Sequence, residues 1–274
     1  MEIRVIKHWE NEFYAAPKQL RTLCMGNSHS YVFRPLPKDS TIYFCSYGED
    51  VGKTYYRLKT VLDNKTKEIE SIFLPYDFQY LSRSGMDNTN LDLWANYVNY
   101  LEYGRKKQDV SGYLFKYVVG KFFPYAGQSF NIWEYLHQPK AYLEGVASNR
   151  ADKMQADNSN VNCPKDIIDP VAGDYFKMIL HLCGQHNIKV FLIKYPYRKD
   201  YLDNLSTCFS ESAYFAEADK LLVGYKNLHV LAYSKIYLHQ PEKFDDGHHL
   251  KAADSTRNIF SKMVIDTVNI LRWK

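Results

Sequence analysis

The sequence predicts an α/β fold in which a central parallel sheet lies inside a three-layer α/β/α sandwich. Short runs rich in β-forming residues, most of them ended by glycine or proline, alternate with segments whose apolar residues recur at helical spacing. A strand followed by a helix, repeated along the chain, is typical of a parallel sheet with helices on both faces. With 274 residues, 46% of them hydrophobic, the chain can bury a large core as a single domain covering residues 1–274.

The first half of the chain contains three predicted strands and one predicted helix. We expect strands at residues 19–26, 40–48 and 69–77, whose sequences are QLRTLCMG, STIYFCSYG and IESIFLPYD. Between Val51 and Leu62 the apolar residues recur at helical spacing, which predicts a helix between the second and third strands.

The same alternation returns in the second half of the chain. A helix that ends near Gly184 and a strand at residues 188–195 are followed by a helix at 210–225 and a strand at 228–234. A last helix is predicted at residues 250–271, where apolar residues share one helix face. The sheet is therefore expected to contain five strands.

Residues 78–160 interrupt this alternation and predict a helical insertion. We expect amphipathic helices near residues 94–101 and 113–125, and a polar loop at residues 148–162. In open α/β sheets ligands bind beyond the carboxyl ends of the strands, so an insertion that follows the third strand is in position to shape a site. The alternative, a packing subdomain with no contact to substrate, fits the same sequence.

Charge and composition argue against several classes of function. Lys and Arg number 35 against 31 Asp and Glu, and no basic cluster is dense enough for a nucleic-acid-binding arm, so we expect no nucleic-acid partner. The sequence shows no run of about 18 apolar residues and no signal-peptide core, which predicts no transmembrane segment and a soluble, cytoplasmic protein. The five cysteines mostly lie in apolar runs, so we expect buried thiols rather than disulfides or a zinc site.

A serine, Ser28, stands where the first predicted strand ends, in the segment GNSHS. A serine hydroxyl is a poor nucleophile until a base takes its proton, and the base works best when a third group fixes its tautomer. Ser28 can therefore act as a nucleophile only if the rest of the chain supplies a base and a group that orients the base.

The segment DDGHHL, near the end of the chain, supplies a carboxylate and an imidazole three residues apart in a loop. Two pairs have this spacing, Asp245 with His248 and Asp246 with His249. Leu250, which we expect to anchor the following helix, favours Asp246 with His249. The unused His248 is then expected at the rim of the site.

These segments resemble motifs of the SGNH, or GDSL-type, serine hydrolases and acyltransferases. GNSHS is similar to their first motif, Gly-Asp-Ser, with Asn27 in place of the aspartate, and DGHHL is similar to their last motif, Asp-x-x-His. The resemblance implies a flavodoxin-like α/β/α fold, with Ser28 as nucleophile, His249 as base and Asp246 as the acid that orients the base. It also implies that the backbone N–H groups of Ser28 and Gly48, the latter in SYGED, form the oxyanion hole.

The third motif of the family, Gly-x-Asn-Asp, is degenerate in this chain. Its place reads LPYD, so Tyr76 stands where the oxyanion-binding asparagine would fall. Loss of one such donor costs about 3 kcal/mol of transition-state stabilisation. Either another group replaces it, for which Asn88 and Asn90 are candidates, or the enzyme is slow. A degenerate third motif makes the sequence most similar to the polysaccharide O-acetyltransferase-like branch of the family.

The resemblance implies an esterase or O-acyltransferase that forms an acyl-serine intermediate. Flat aromatic rings pack on sugar faces, and the insertion is rich in Tyr and Trp, which favours a carbohydrate substrate. We expect O-acetyl ester chemistry on a glycan or small molecule, with no bound cofactor and with acetyl-coenzyme A as donor if the enzyme is a transferase. Asn27, His29, Tyr76 and His248 are candidates for contact with substrate. The alternative is a carbohydrate-binding protein that kept the fold and lost catalysis.

A metal site is a further alternative for the residues near the end of the chain. The side chains of His239, Asp245, Asp246, His248 and His249 are all of types that bind metal ions. Adjacent residues point in different directions, however, and no two histidines have i, i+4 spacing. The sequence therefore predicts no bound metal.

Overall fold

The computed structural model describes seven stretches of the chain, and the strands and helices lie within them. The described residues are 13–33, 41–45, 49–65, 67–82, 100–106, 166–251 and 255–272. The strands are β1 (Gln19–Leu20), β2 (Thr22–Cys24), β3 (Thr41–Tyr43), β4 (Glu68–Ile69), β5 (Ser71–Pro75), β6 (Lys189–Lys194) and β7 (Leu228–Ala232).

Helices separate most of these strands along the chain. They are α1 (Val51–Asp63), α2 (Phe78–Leu81), α3 (Tyr100–Lys106), α4 (Pro170–Gln185), α5 (Lys199–Leu205), α6 (Glu211–Asp219) and α7 (Thr256–Arg272). Short 3-10 helices lie at Ser28–Phe33, Lys220–Leu222 and Pro241–Lys243.

The central sheet is parallel and has five strands in the order β3-β2-β5-β6-β7. Its core strand β5 is buried on both faces, which is what helices on both sides of a parallel sheet require. The order is that of flavodoxin-like sheets, in which ligands bind where the strand order reverses. Here the reversal lies between β2 and β5. The predicted α/β fold with a central parallel sheet flanked by helices is confirmed.

An aspartate caps the N-terminus of both α1 and α4. The side chain of Asp50 accepts a hydrogen bond from Lys53 N–H at the start of α1, and Asp169 accepts one from Ala172 N–H at the start of α4. Capping of this kind satisfies backbone donors that have no partner within the helix. The acidic residues ahead of the apolar periodicity therefore set where both helices begin.

The last helix begins later than the sequence predicts. We expected a helix from residue 250, but α7 begins at Thr256 and Leu250 pairs with Phe244 in an isolated antiparallel bridge. Leu250 is buried, so its apolar character reflects a contact of the loop rather than the first turn of a helix. This bridge closes the loop that carries the late histidines.

Most of the predicted insertion, residues 78–160, lies outside the described residues. Within it the structure describes α2 and α3, and α3 overlaps the end of the helix predicted near residues 94–101. The predicted helix at 113–125 and the loop at 148–162 fall outside the described residues. The role of the insertion at the site stays a prediction.

Of the five cysteines, three agree with the sequence prediction, one differs, and Cys163 lies outside the described residues. Cys24, Cys45 and Cys183 are buried free thiols, and burial raises the pKa of each. Cys208 is disulfide-bonded, which corrects our expectation for it. It is part-exposed in a turn after α5 rather than buried in an apolar run.

The described helices leave the cellular location open. Within the described part of the chain, no helix combines the length and apolar character that crossing a membrane requires. The disulfide at Cys208 is of a kind that persists mainly in oxidising compartments. The cytoplasmic location of the protein therefore stays a prediction.

Candidate active site

The turn after β2 presents Ser28 at the carboxyl end of the sheet. Gly26 has a φ of +110°, and a Cβ at this position would lie 2.4 Å from the Cδ atom of Pro75. Only glycine fits such a backbone so close to another strand. The 3-10 helix that follows buries every residue except Ser28, which is partly exposed.

Asn27 holds this turn by local hydrogen bonds. Its side-chain oxygen accepts from His29 N–H at 3.1 Å, and its carbonyl oxygen accepts from Ser30 N–H at 3.1 Å. Asn27 is buried and positions the turn. Its contact with substrate stays a prediction. The 3-10 helix itself was not predicted, because its apolar residues also suit a strand.

The loop after β7 presents His249 from the opposite end of the sequence. Asp245 N–H donates to the carbonyl oxygen of His249 at 2.9 Å, which closes a tight turn. Within the turn, one carboxylate oxygen of Asp246 accepts from the backbone N–H groups of His248 and His249, both at 2.8 Å. Asp246 therefore fixes the backbone of the loop as well as the imidazole ring.

The structure brings Ser28, His249 and Asp246 together in one hydrogen-bonded chain. Ser28 Oγ lies 2.7 Å from His249 Nε2, and His249 Nδ1 lies 2.6 Å from the second carboxylate oxygen of Asp246. A carboxylate only accepts hydrogen bonds, so Nδ1 carries the proton and Nε2 offers its lone pair to the hydroxyl. This is the arrangement of a serine nucleophile with its base and orienting acid.

The same geometry decides between the two carboxylate–histidine pairs of the sequence. The carboxylate of Asp245 lies 3.4 Å from Arg257 Nη2 at the start of α7. Its backbone N–H closes the turn by donating to the carbonyl oxygen of His249. The pair that reaches Ser28 is Asp246 with His249.

Burial and charge keep His249 neutral and Asp246 ionised near neutral pH. Burial lowers the pKa of His249, and this outweighs the opposing hydrogen bond to Asp246. For Asp246, burial acts to raise the pKa, but the hydrogen bond from His249 and the nearby imidazoles hold it below its usual range. A neutral imidazole beside a carboxylate is the state that can accept a proton from Ser28.

A second carboxylate–histidine pair lies beside the first, and sequence analysis missed it. His29 Nδ1 lies 2.7 Å from the carboxylate of Asp77, and both side chains are buried. The other carboxylate oxygen of Asp77 accepts from Tyr80 N–H at 2.9 Å and so caps α2. Asp77 was visible as the last residue of LPYD, but nothing local in the sequence joins it to His29.

His248 extends this second pair towards the surface, where the sequence predicted the unused histidine. Its Nδ1 lies 3.0 Å from His29 Nε2, and its ring lies 5.2 Å from that of Tyr201. Burial, reinforced by His249 and His29, lowers the pKa of His248 well below its usual value. His248 is thus a part-exposed neutral imidazole at the edge of the site.

Tyr76 lies in the core rather than at the site. Its side chain has no exposed surface, its hydroxyl donates to Asp219 at 2.8 Å, and its ring stacks on Phe176. This corrects the expectation of a substrate contact at Tyr76, because its polar atom is already bound on the side of α6. Burial also raises the pKa of Tyr76 above its usual value.

Three candidates for oxyanion binding cannot be placed. The predicted oxyanion donor Gly48 and its proposed supplements Asn88 and Asn90 lie outside the described residues. The oxyanion hole therefore stays a prediction, apart from the position of Ser28 at the start of its 3-10 helix.

A small cavity adjoins the reactive atoms. It has a volume of about 10 Å³ and is lined by Ser28, His29, His248, His249 and Arg257 among others. A volume of this size holds about one water-sized sphere. The cavity is thus suited to a water molecule or a single ion beside the imidazoles.

Comparison with known proteins identifies fold neighbours at low similarity. No protein-family model matches the sequence, and no curated protein matches it. A GDSL-like lipase from Bacteroides thetaiotaomicron is 9% identical with a TM-score of 0.45, over 98% of this chain and 99% of that chain. A protein assigned as an acylhydrolase from Bacteroides fragilis is 12% identical with a TM-score of 0.42, over 98% of this chain and 97% of that chain. At such values the similarity carries no argument about function, which rests on the side chains.

Proposed function

We propose that the protein catalyses serine-dependent acyl-ester chemistry, with Ser28 as nucleophile, His249 as general base and Asp246 as its orienting acid. One observation carries the proposal. Ser28 Oγ lies 2.7 Å from His249 Nε2 although 221 residues separate them. A hydroxyl, an imidazole and a carboxylate in this order serve to activate the hydroxyl oxygen as a nucleophile.

The geometry supports a two-step reaction. His249 Nε2 takes the Ser28 proton as Oγ attacks the ester carbonyl carbon, and the carbonyl oxygen becomes the oxyanion of a tetrahedral intermediate. The imidazolium then gives its proton to the leaving alcohol as the ester C–O bond breaks, which leaves the acyl group on Ser28. In the second step His249 takes a proton from water or an acceptor hydroxyl, whose oxygen attacks the acyl carbon. The bond between that carbon and Ser28 Oγ then breaks, and the imidazolium returns its proton to Oγ.

Backbone donors are proposed to bind the oxyanion. Ser28 N–H lies at the start of the 3-10 helix, and the resemblance to GDSL-type enzymes adds the N–H of Gly48. Tyr76 supplies no donor, because its hydroxyl is engaged by Asp219. An oxyanion hole that lacks one donor loses about 3 kcal/mol of stabilisation, so we expect a slow enzyme unless another group replaces it.

The proposed substrate is an acyl ester of a carbohydrate, and O-acetyl esters are the first to test. Support comes from the Tyr and Trp content of residues 78–160 and from the similarity of the motifs to sugar O-acetyltransferases. Hydrolysis uses water as acceptor. Transfer uses a sugar hydroxyl and an acyl donor such as acetyl-coenzyme A.

Covalent labelling tests the serine directly. A fluorophosphonate probe is expected to modify Ser28 in the wild-type chain, as shown by peptide mass spectrometry. Ser28→Ala should abolish labelling, while Ser30→Ala should retain it, because Ser30 Oγ is buried and donates to Met25 O at 2.9 Å. Equal labelling of wild type and Ser28→Ala would rule out the proposed nucleophile. No labelling of either would favour a carbohydrate-binding protein.

Product analysis separates hydrolase from transferase. Acetate release from p-nitrophenyl acetate is measured with and without added glycans, and acetyl-coenzyme A is then supplied as the alternative donor. Hydrolysis predicts acetate as the product under all conditions. Transfer predicts acetylated glycan at the expense of acetate, which mass spectrometry of the glycan detects.

A further inference from the structure

Three imidazoles meet at the candidate site, although serine chemistry needs only one. His29, His248 and His249 each offer one ring nitrogen, and these nitrogens all lie within 4.8 Å of one another. Sequence analysis did not identify this cluster, because His29 is more than 200 residues from the other two histidines. The fold brings it to them from the turn after β2.

The hydrogen bonds of the three rings show which nitrogen of each is available to bind a metal ion. His29 Nδ1 and His249 Nδ1 are held by the carboxylates of Asp77 and Asp246. In the tautomers with the proton on Nδ1, their Nε2 atoms carry the lone pairs. His248 Nδ1 then donates the 3.0 Å hydrogen bond to His29 Nε2. A tetrahedral zinc ion, bound at about 2.0–2.1 Å from each ligand nitrogen, separates those nitrogens by roughly 3.3 Å. The His29–His248 spacing needs to change by about 0.3 Å to reach this value. The distances from His249 are at most 4.8 Å, so they need to change by no more than about 1.5 Å.

Two of the three imidazoles are hydrogen-bonded to carboxylates, as metal-binding histidines commonly are. Metal-binding histidines usually donate the other ring N–H to a carboxylate, which fixes the ring and its tautomer. Both His29 and His249 have this partner. Asp77 is buried, is fixed by Tyr80 N–H, and takes no part in the serine reaction.

The space and the ligand type limit what binds. The adjoining cavity of about 10 Å³ holds a sphere of roughly the size of one water. Imidazole nitrogens suit Zn²⁺, Cu²⁺ or Ni²⁺, whereas Mg²⁺ and Ca²⁺ prefer oxygen ligands.

We propose that His29, His248 and His249 bind a divalent transition-metal ion of the Zn²⁺ type, and that this ion reversibly inhibits the serine reaction. When the ion binds, His248 carries its proton on Nε2 and binds the metal through Nδ1. His249 gives its Nε2 lone pair to the metal, so Ser28 keeps its proton. The inhibition rests on the proposed serine function, but metal binding does not.

Metal binding is tested in the absence of catalysis. Zinc chloride is titrated by calorimetry into EDTA-treated Ser28→Ala protein, and we expect one ion per chain. In this background, adding His248→Gln should lower zinc affinity at least about 10-fold, since loss of an outer carboxylate alone typically costs 10- to 100-fold. His186→Gln is the matched control and should change affinity less than about two-fold, because His186 is exposed at the end of α4, ahead of β6.

A second variant tests the outer carboxylate. Asp77→Asn keeps all three imidazoles and should lower zinc affinity about 10- to 100-fold. Thermal unfolding of each metal-free variant confirms that it is folded before titration. The site is disproved if zinc does not saturate, or if His248→Gln and His186→Gln bind it equally.

Inhibition is measured in chains that contain Ser28, with each rate divided by the metal-free rate of the same variant. We expect zinc to lower ester turnover, EDTA to restore it, and His248→Gln to raise the inhibitory zinc concentration at least about 10-fold. Saturable zinc binding without Ser28-dependent turnover would remove the serine proposal and leave the metal site. Ser28-dependent turnover without zinc binding would remove the metal site alone.

Discussion

The two carboxylate–histidine pairs of the site have nearly the same hydrogen bond in very different settings. Asp246 and His249 are three residues apart in one loop, and their side chains are 10% and 19% exposed. Asp77 and His29 are 48 residues apart on different loops, and their side chains are 0% and 1% exposed. The bond lengths, 2.6 and 2.7 Å, do not distinguish them.

The difference lies in what each bond depends on. The first pair is built by one turn and can change with little effect on the core. The second joins the ends of β2 and β5, so it forms only when the sheet forms. Loss of a hydrogen bond to a buried carboxylate is costly, because the carboxylate is then left without that partner. We therefore expect the first pair to control rate and the second to control stability.

The largest expected effect is on rate, at Asp246. Asp246→Asn keeps an oxygen for the backbone N–H groups of His248 and His249 but no longer selects the Nδ1–H tautomer. We expect kcat to fall about 10⁴-fold, as in other triads, with little change in the thermal unfolding midpoint. Steady-state turnover of an acetyl ester and thermal unfolding measure the two effects. A loss of kcat below 10-fold would remove Asp246 from its proposed role.

Asp77→Asn should show the opposite balance. The amide oxygen can still cap α2, so the change isolates the hydrogen bond to His29. Loss of a hydrogen bond to a charged group is expected to cost about 1.5–3 kcal/mol of the free energy of unfolding, with kcat reduced less than 10-fold. Urea denaturation and metal-free turnover measure these. A large loss of kcat without a loss of unfolding free energy would mean that Asp77 and His29 take part in the chemistry. The proposed division of roles between the two pairs would then be wrong.

The turn that carries Ser28 is sensitive at Gly26. Gly26→Ala forces an alanine into a left-handed backbone and against Pro75, and we expect a loss of about 1–3 kcal/mol in the free energy of unfolding. Gly184→Ala is the matched control, because Gly184 lies in α4 with nothing within 4 Å of a new Cβ. It should stabilise the protein by about 0.5–1 kcal/mol. Equal effects in urea denaturation would mean that the turn is not tightly restrained.

The smallest expected effect is at Asp245, the rival of Asp246 in the sequence. Its carboxylate is 44% exposed and lies 3.4 Å from Arg257, a contact of a kind that contributes about 0–1 kcal/mol. Asp245→Asn should leave kcat within about two-fold and the unfolding free energy within about 1 kcal/mol. A large loss of kcat would reopen the choice between the two pairs.

The sequence predicted best what is local. The helical spacing of Phe176, Ile179 and Cys183 matches the buried face of α4, and the spacing of Asp246 and His249 matches their contact. Both follow from a few consecutive residues. The resemblance to GDSL-type enzymes added Ser28 as the partner of His249, a contact that no local pattern contains.

What the sequence missed depends on the register between distant strands. The contact of His29 with Asp77 requires β2 and β5 to be neighbours with Cys24 opposite Phe73. Periodicity identifies strands but not which of them pair. Tyr76 was misjudged for the same reason, because its burial depends on α4 and α6 packing over the end of β5.

The close approach of Gly26 and Pro75 brings together the turns that carry the two pairs. Gly26 stands two residues before Ser28, and Pro75 stands two residues before Asp77, so we expect displacement of one turn to affect the other. In a double-mutant cycle, Pro75→Ala should recover part of the stability lost in Gly26→Ala by relieving the clash but not the backbone strain. In proteins that share this fold, we expect positions 26 and 75 to covary. A substitution at one position would then limit the substitutions that the other can accept.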